Sequence, residues 1–519
     1  MRGHVIFFAL STGFAAVPAC GDALAEASPP TPAIIVKTMT VDTVVARDGS
    51  YTTTLHVERL ATNQSAAQRI AQQTAEYSES METVEIAEAF TRKTDGRVLE
   101  VDRSRIFAQA PPGSPQVPMF TDRKQKVIVF PDVAPDDLVA FTIKRSHKPF
   151  FPGQFFGGDV FQREWAFEDV RERITLPKTM AARIEARDVE HHIEEDADNA
   201  THIFVYKNPL PPATAPSALS PWDTDPQYTI STFPDYAAVA DAYRQLVTGK
   251  AAVTPRIQAL ADEIATGATD RREQAHLIYD WVSKHIRYVA IFLGNGGYEP
   301  HDAASILDNG YGDCKDHVVL LEALLAAKGI ASAPALINSG NRYRLPEAAT
   351  PAAFNHVLSF LPEFDLYVDS TVGVAPFGTQ LADEHGKPVA IAAEPSASLA
   401  TLPLVVGDEN EEKFQTTAQL MPDGTVSGQS ITVASGPFGI RLRQLAASIE
   451  ARGHSQWAET FFKNLDWHGT ASFEFDPPRA RLVPIYTFSA SFELEARPEF
   501  LDGKAFGPPE GIRMLVRPG

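Results

Sequence analysis

The chain has 519 residues, too many for one ordinary core, so two to four domains are expected. Apolar residues make up 44% and charged residues 22%, which suits folded globular domains and excludes wholesale disorder. With 46 basic against 66 acidic residues the net charge is -20, which repels nucleic acid and anionic membrane surfaces and argues against both as partners.

The chain opens on Arg2 and His4, an apolar run from Val5 to Val17, and Ala23-Leu24-Ala25 before Glu26. A basic start, an apolar stretch too short for a bilayer and an A-x-A site describe a signal peptide over residues 1–25, and so export to the periplasm or the exterior. Val17-Pro18-Ala19-Cys20 offers the weaker alternative of a lipoprotein site with Cys20 lipidated; Pro18 and the absence of a leading Leu count against it. No later apolar run approaches the ~20 residues that cross a membrane. Removal of the signal peptide leaves Cys314 as the lone cysteine. A thiol redox function then lacks its second cysteine, and an unpaired thiol in an exported chain is expected either to react or to be a buried inert group.

From Thr38 to Tyr206 the pattern is strand-like. Asp48-Gly49 between Thr43–Ala46 and Tyr51–Val57 predicts a hairpin, and Lys126–Phe130, Leu138–Ile143 and Ile203–Tyr206 are further extended runs. This reads as a β-sandwich-like domain over 38–210 with one helical insertion around Ser65 to Ala75. The aromatic stretch Phe150–Phe156 is expected to pack in place of forming an exposed binding loop. His191-His192 before Glu194, Glu195, Asp196 and Asp198 has no metal-ligand spacing and reads as a solvated loop. The Pro-rich bridge Leu210–Pro216 marks the exit from this domain.

Helical patterns follow at Tyr236–Val247, Pro255–Ile264 and Arg271–Ile286, the last with Leu277, Ile278, Trp281 and Val282 at helical spacing. Trp281 is expected in the core. They open an α+β domain over 235–390. Beyond Glu394 the chain returns to strands, with Pro422-Asp423-Gly424 as a turn between Phe414–Leu420 and Val426–Val433. Two amphipathic helices near Ile440–Ala451 and Ser455–Asn464 precede strands from Ala471 to Leu494, giving a β-rich domain over 395–519 with no obvious closing element.

The chemistry concentrates at Gly310-Tyr311-Gly312-Asp313-Cys314-Lys315-Asp316-His317. Turn residues there give way to an apolar helix that Gly329 is placed to cap. Cys314 falls in the first helical turn, where unpaired N–H groups and the helix dipole favour a thiolate. A thiolate that attacks an amide needs a proton carrier, and His356, in the strand-like Phe354–Phe360, suits by its near-neutral pKa. Leu366–Ser370 reads as the next strand. A two-residue turn at Pro362-Glu363 would set Asp369 directly opposite His356 on one face, where it could fix the imidazole. Pro-Glu is not a favoured two-residue turn. His317 is a rival base, too close in sequence to Cys314 to reach across a cleft. Tyr288 and Asn355 are candidate neighbours or plain packing, Asp313 is expected to cap the helix, and the Cys314 N–H is a natural oxyanion donor whose second donor is unidentified.

Gly312-Asp313-Cys314-Lys315-Asp316, Phe354-Asn355-His356 and Val368-Asp369-Ser370-Thr371 resemble the core motifs of bacterial transglutaminase-like proteins. Ile286-Arg287-Tyr288-Val289 and the Pro300–Leu307 approach fit the same likeness. The preceding Phe130-Pro131-Asp132-Val133 and Asp136-Asp137-Leu138-Val139 are similar to the DUF3857 domain that often precedes such a core. The resemblance implies a multidomain α+β protein with a papain-like core, a Cys314, His356 and Asp369 triad, and thioester formation on a protein or peptide amide, with transfer to an amine or to water. It implies no cofactor, and no acidic loop has the spacing of an EF-hand, so no metal is expected. The competing class is a non-catalytic cell-envelope binding or scaffold protein that uses its β domains. Substrate-binding residues and oligomeric state are not specified by any motif.

Overall fold

The computed structural model describes residues 32–111, 119–211, 219–292, 294–405, 407–464 and 467–496. The expected signal peptide, Cys20, most of the Pro-rich bridge and the stretch from 497 to Gly519 lie outside the described residues.

Strands Ile34–Val45 and Tyr51–Ala61 form the expected hairpin. Its turn is closed by the Ala46 amide donating to Ser50 O at 2.8 Å, and Gly49 takes a φ of 86°, a conformation glycine adopts without strain. A Cβ at Gly49 would also lie 2.3 Å from the Gln154 carbonyl oxygen, so the turn packs tightly beneath the aromatic stretch. This hairpin sits inside an eight-stranded sheet with the spatial order 190–195, 199–208, 166–177, 34–45, 51–61, 138–147, 82–92, 98–100. Two three-stranded sheets, 72–78 with 123–129 and 106–109, and 156–160 with 227–231 and 183–187, complete the region. Alternating residues such as Leu55, Val57, Val139, Phe141 and Ile174 are buried with Ile128 and Ile230 of the smaller sheets in one core, as period-two strands with one wet face require.

Three local expectations change. The helical insertion is shorter, Gln64–Ile70, because Gln73, Ala75 and Tyr77 alternate inward and make 72–78 a strand. His191 and His192 lie in the edge strand Glu190–Glu195 and not in a loop; the strand keeps its polar character because its outer edge pairs with nothing among the described residues. After the Pro-rich bridge one more strand, Gln227–Ser231, pairs back onto 156–160 and 183–187.

Helices Tyr236–Val247, Pro255–Ile264 and Arg271–His285 start on side-chain caps from Asp235, Thr254 and Asp270. Trp281 is partly buried against the core, as expected. The central helix Cys314–Ala327 is buried along most of its length and packs against helices 255–264 and 271–285 on one side and strand 356–361 on the other. That strand belongs to a five-stranded sheet ordered 366–368, 356–361, 333–337, 388–391, 398–401, all neighbours antiparallel. The last member lies beyond Glu394, so this sheet takes a strand from the stretch read as the start of the following domain. Downstream, a four-stranded sheet ordered 412–420, 426–434, 486–494, 469–475 is covered by helices Gly436–Arg452 and His454–Asn464. Architecture and class therefore agree with the expectation: a β-rich N-terminal region, an α+β core and a C-terminal β-sheet region.

The first two regions are joined by more than the linking chain. Ala290–Phe292 runs parallel to Met119–Thr121, and Asp122 accepts a hydrogen bond from the Gly294 amide at 3.3 Å. The expected packing of the aromatic stretch is seen: Phe150, Phe151, Phe155 and Phe156 are all buried. Phe151 lies edge-on to Phe233 and to Tyr298, with ring centroids 5.7 and 5.1 Å apart.

Candidate functional site

The start of the central helix is built by its own residues. Asp313 caps it, accepting from the Asp316 amide while the Asp316 carboxylate accepts from the Asp313 amide at 3.3 Å. Gly312 is required beside this box, since a Cβ there would come within 2.5 Å of the Asp316 Cβ. Asp316 also accepts from the His301 amide at 2.9 Å, and Lys315 is buried in an ion pair with Asp313. Lys315 and Asp316 thus hold local structure. Cys314, the first helical residue, is 2% exposed.

His356 opens strand 356–361, and its Nε2 lies 2.8 Å from Asp369 Oδ2. The other oxygen, Oδ1, accepts from the Thr371 amide at 2.9 Å and from the Thr371 hydroxyl at 2.6 Å. With Nε2 committed to Asp369, Nδ1 is the nitrogen left for the Cys314 thiol, and the charges of His356 and Cys314 act on each other.

The expected register differs. Leu361 pairs with Leu366 and Ser359 with Val368, so the connection is four residues, a helical turn at Pro362–Phe364 closed by Asp365 at a φ of 47°. Pro362 favours that turn over a tight hairpin. The shift is two residues, which returns the same side chains to the same face. Asp369 becomes a diagonal neighbour of His356 in place of a direct one, and the imidazole spans the difference.

The three groups influence one another. Burial alone would raise the Asp369 carboxyl, but the His356 charge and hydrogen bond, with those from Thr371, hold it below the ordinary carboxylate range. Burial alone would lower His356, yet Asp369 and Cys314 hold it well above the ordinary imidazole value. Burial opposes ionisation of Cys314 too, while the His356 charge acts to lower it.

His317 is buried, its Nδ1 at 3.2 Å from Ser370 Oγ, and burial pushes it down to about 4, so it is neutral at pH 7 and packs behind Asp369. Asn355 clamps the neighbouring loop: Oδ1 accepts from the Ser339 amide at 2.7 Å and Nδ2 donates to the Ser339 carbonyl at 2.9 Å. Tyr288 pairs through its backbone with Gly312, beside Cys314, and its ring faces His317 at 6.2 Å between centroids. Two contributors carry no sequence signal. The Tyr279 hydroxyl lies 3.0 Å from the Asp369 carbonyl and 2.9 Å from that of Ala375, anchoring the turn. Glu384, fully buried, brings one carboxyl oxygen within 4.8 Å of ligand atoms of both His356 and Asp369. These three could in geometry surround a cation, but Nε2 and both Asp369 oxygens already hold hydrogen bonds, which suits an imidazole–carboxylate network better.

Residues 47–213 match a domain of unknown function, DUF3857, and residues 258–342 match the transglutaminase-like superfamily. The chain thus resembles transglutaminase-like proteins over that core, with a DUF3857 match ahead of it. The second match contains Cys314 and ends before His356 and Asp369. Among solved structures, a presumptive protease from Parabacteroides distasonis aligns over 91% of this chain and 95% of its own, with a TM-score of 0.60 and 14% identity. At that identity the likeness is one of fold alone. An M1 zinc metallopeptidase from Deinococcus radiodurans aligns over 38% of this chain and 42% of its own at a TM-score of 0.23 and 10% identity, too little to carry an argument. No curated protein matches the chain. No helix among the described residues is long and apolar enough to cross a membrane.

Proposed function

We propose that this transglutaminase-like protein is an exported cysteine acyl-transfer enzyme whose triad is Cys314, His356 and Asp369, acting on amides of proteins or peptides of the cell envelope. The observation that carries the reading is one imidazole hydrogen-bonded to a buried carboxylate and electrostatically linked to the thiol at the start of a buried helix. In this reading residues 1–25 direct export, and the catalytic core over 235–390 stands between β-rich domains over 38–210 and 395–519, with single strands crossing those bounds.

Cys314 Sγ bonds to the amide carbonyl carbon, and the oxyanion is received by the Cys314 N–H and a second donor. His356 gives its proton to the departing amine as the C–N bond breaks, leaving a thioester. The acceptor, an amine or water, then loses its proton to His356 as it bonds to the carbonyl carbon and the C–S bond breaks. Asp369 keeps the ring in the tautomer that faces the thiol. An amine acceptor makes the protein a transamidase, and water makes it a peptidase.

The test is trapping on the mature protein. Iodoacetamide should modify Cys314 rapidly at neutral pH, and His356→Ala should abolish that speed. Peptide libraries with an amine probe then separate the acceptors, incorporation marking transfer and cleavage alone marking hydrolysis. An unreactive Cys314 would sink the enzyme reading in favour of a binding protein.

A further inference from the structure

Behind the imidazole lies a titratable group that the triad does not use. Glu384 follows the five-stranded sheet's 366–368 strand, in the stretch before Pro388, and is fully buried. One carboxyl oxygen stands within 4.8 Å of ligand atoms of His356 and of Asp369. Its Oε2 accepts from the Leu381 amide at 3.4 Å, while Oε1 has no hydrogen-bond donor among the described residues. Ser339, held by Asn355 next to His356, faces the same carboxyl and favours its charge. An unsatisfied buried carboxyl oxygen is costly, and such groups persist where function requires them.

We propose that Glu384 is a positioning residue of the site, whose negative charge, added to that of Asp369, keeps His356 protonated and so sets how far up in pH the thiolate–imidazolium pair survives. The proposal rests on the triad reading above.

The groups facing Glu384 are few. His356 and Asp369 come from the neighbouring strand and turn, and Asp383 precedes it in the chain. Lys387 senses it from just ahead of strand 388–391, its ammonium donating to the Asn338 carbonyl at 2.9 Å, and Tyr279 faces it from helix 271–285. His317, neutral at pH 7, faces Asp369 and supplies no charge. Burial first, then Asp369 and Asp383, push the Glu384 carboxyl up to about 7, with His356 pulling the other way. Below that pH Glu384 is neutral and His356 is held by Asp369 and Cys314 without it. Above it a second carboxylate joins, and losing the imidazolium proton becomes harder.

The sign is therefore fixed. Glu384→Gln keeps the shape and removes the charge, so the alkaline limb of Cys314 alkylation should move down by about one pH unit while the acid limb stays. Glu384→Asp, which keeps the charge on a shorter arm, should restore at least half of that shift. Iodoacetate alkylation followed by mass spectrometry from pH 4 to 10 reads this without knowledge of the substrate, because the anionic reagent is drawn by the imidazolium and slows when its charge is lost, and a thermal melt confirms that each variant is folded. A Glu384→Gln profile that superimposes on the wild type, or keeps its limbs at lower amplitude, would overturn the proposal and leave Glu384 a structural residue. If neither variant folds, the wild-type profile decides: an inflection near pH 7 between the two limbs supports it, and a plain bell overturns it. Failure of the triad reading looks different, since Cys314 would then be unreactive or indifferent to His356→Ala.

Discussion

At the scale of single residues, hydrogen bonds already commit most groups in the site to one role. Asp369 has both oxygens engaged, so in the proposed triad its task is orientation and charge. Replacing it with Asn would leave an amide able to donate to Nε2 and turn the ring to the wrong tautomer, and turnover should fall by on the order of 10⁴-fold, as a steady-state assay on a cleaved or labelled peptide would read. His317 has the opposite fate. Its pKa of about 4 lies below the ordinary histidine value of about 6.5, so the unfolded chain takes up a proton that the folded one refuses. The stability linked to it is fully present above pH 6.5 and is lost as pH falls toward 4, amounting to about 3 kcal/mol. His317→Gln should flatten the fall in Tm over that window relative to the wild type; an unchanged slope would show that His317 is not the group responsible.

At the scale of elements, the central helix was legible because its signals are local: Asp313 as cap, an apolar run, Gly329 beyond the end. The structure adds what local signals could not carry, the burial of Lys315 against Asp313. Asp313→Asn would keep a cap but leave a buried ammonium without its partner, and should cost about 3–5 kcal/mol in chemical denaturation. The His356–Asp369 pairing was legible only up to its parity. Sequence shows which residues share a face, while the turn that sets register depends on how Pro362 and Asp365 bend the chain. Lengthening that turn by one residue should therefore abolish rapid alkylation of Cys314 by turning Asp369 to the other face, whereas lengthening it by two should retain part of it. Glu384 and Tyr279 were not legible at all, since a Glu between Asp383 and His385 reads as solvated surface and only tertiary packing buries it.

At the scale of the whole molecule, the N-terminal β region and the core share structure. The order of β-rich, α+β and β-rich segments followed from periodicity, but the strands that cross between segments did not, because 227–231, 290–292 and 398–401 are short and find partners far away in sequence. Phe151 sits at one such junction against Phe233 and Tyr298. Phe151→Ala should destabilise the protein by about 3–5 kcal/mol, and a single cooperative melt that shifts as a unit would show the two regions unfolding together. The same junction bears on how the chain is made. Phe150, Phe151 and Phe156 leave the ribosome long before Phe233 and Tyr298, so the nascent N-terminal region carries an uncovered aromatic face until the core has been synthesised. A ribosome-bound chain truncated after residue 210 should thus hold chaperones at that loop, and one extended past residue 400 should release them.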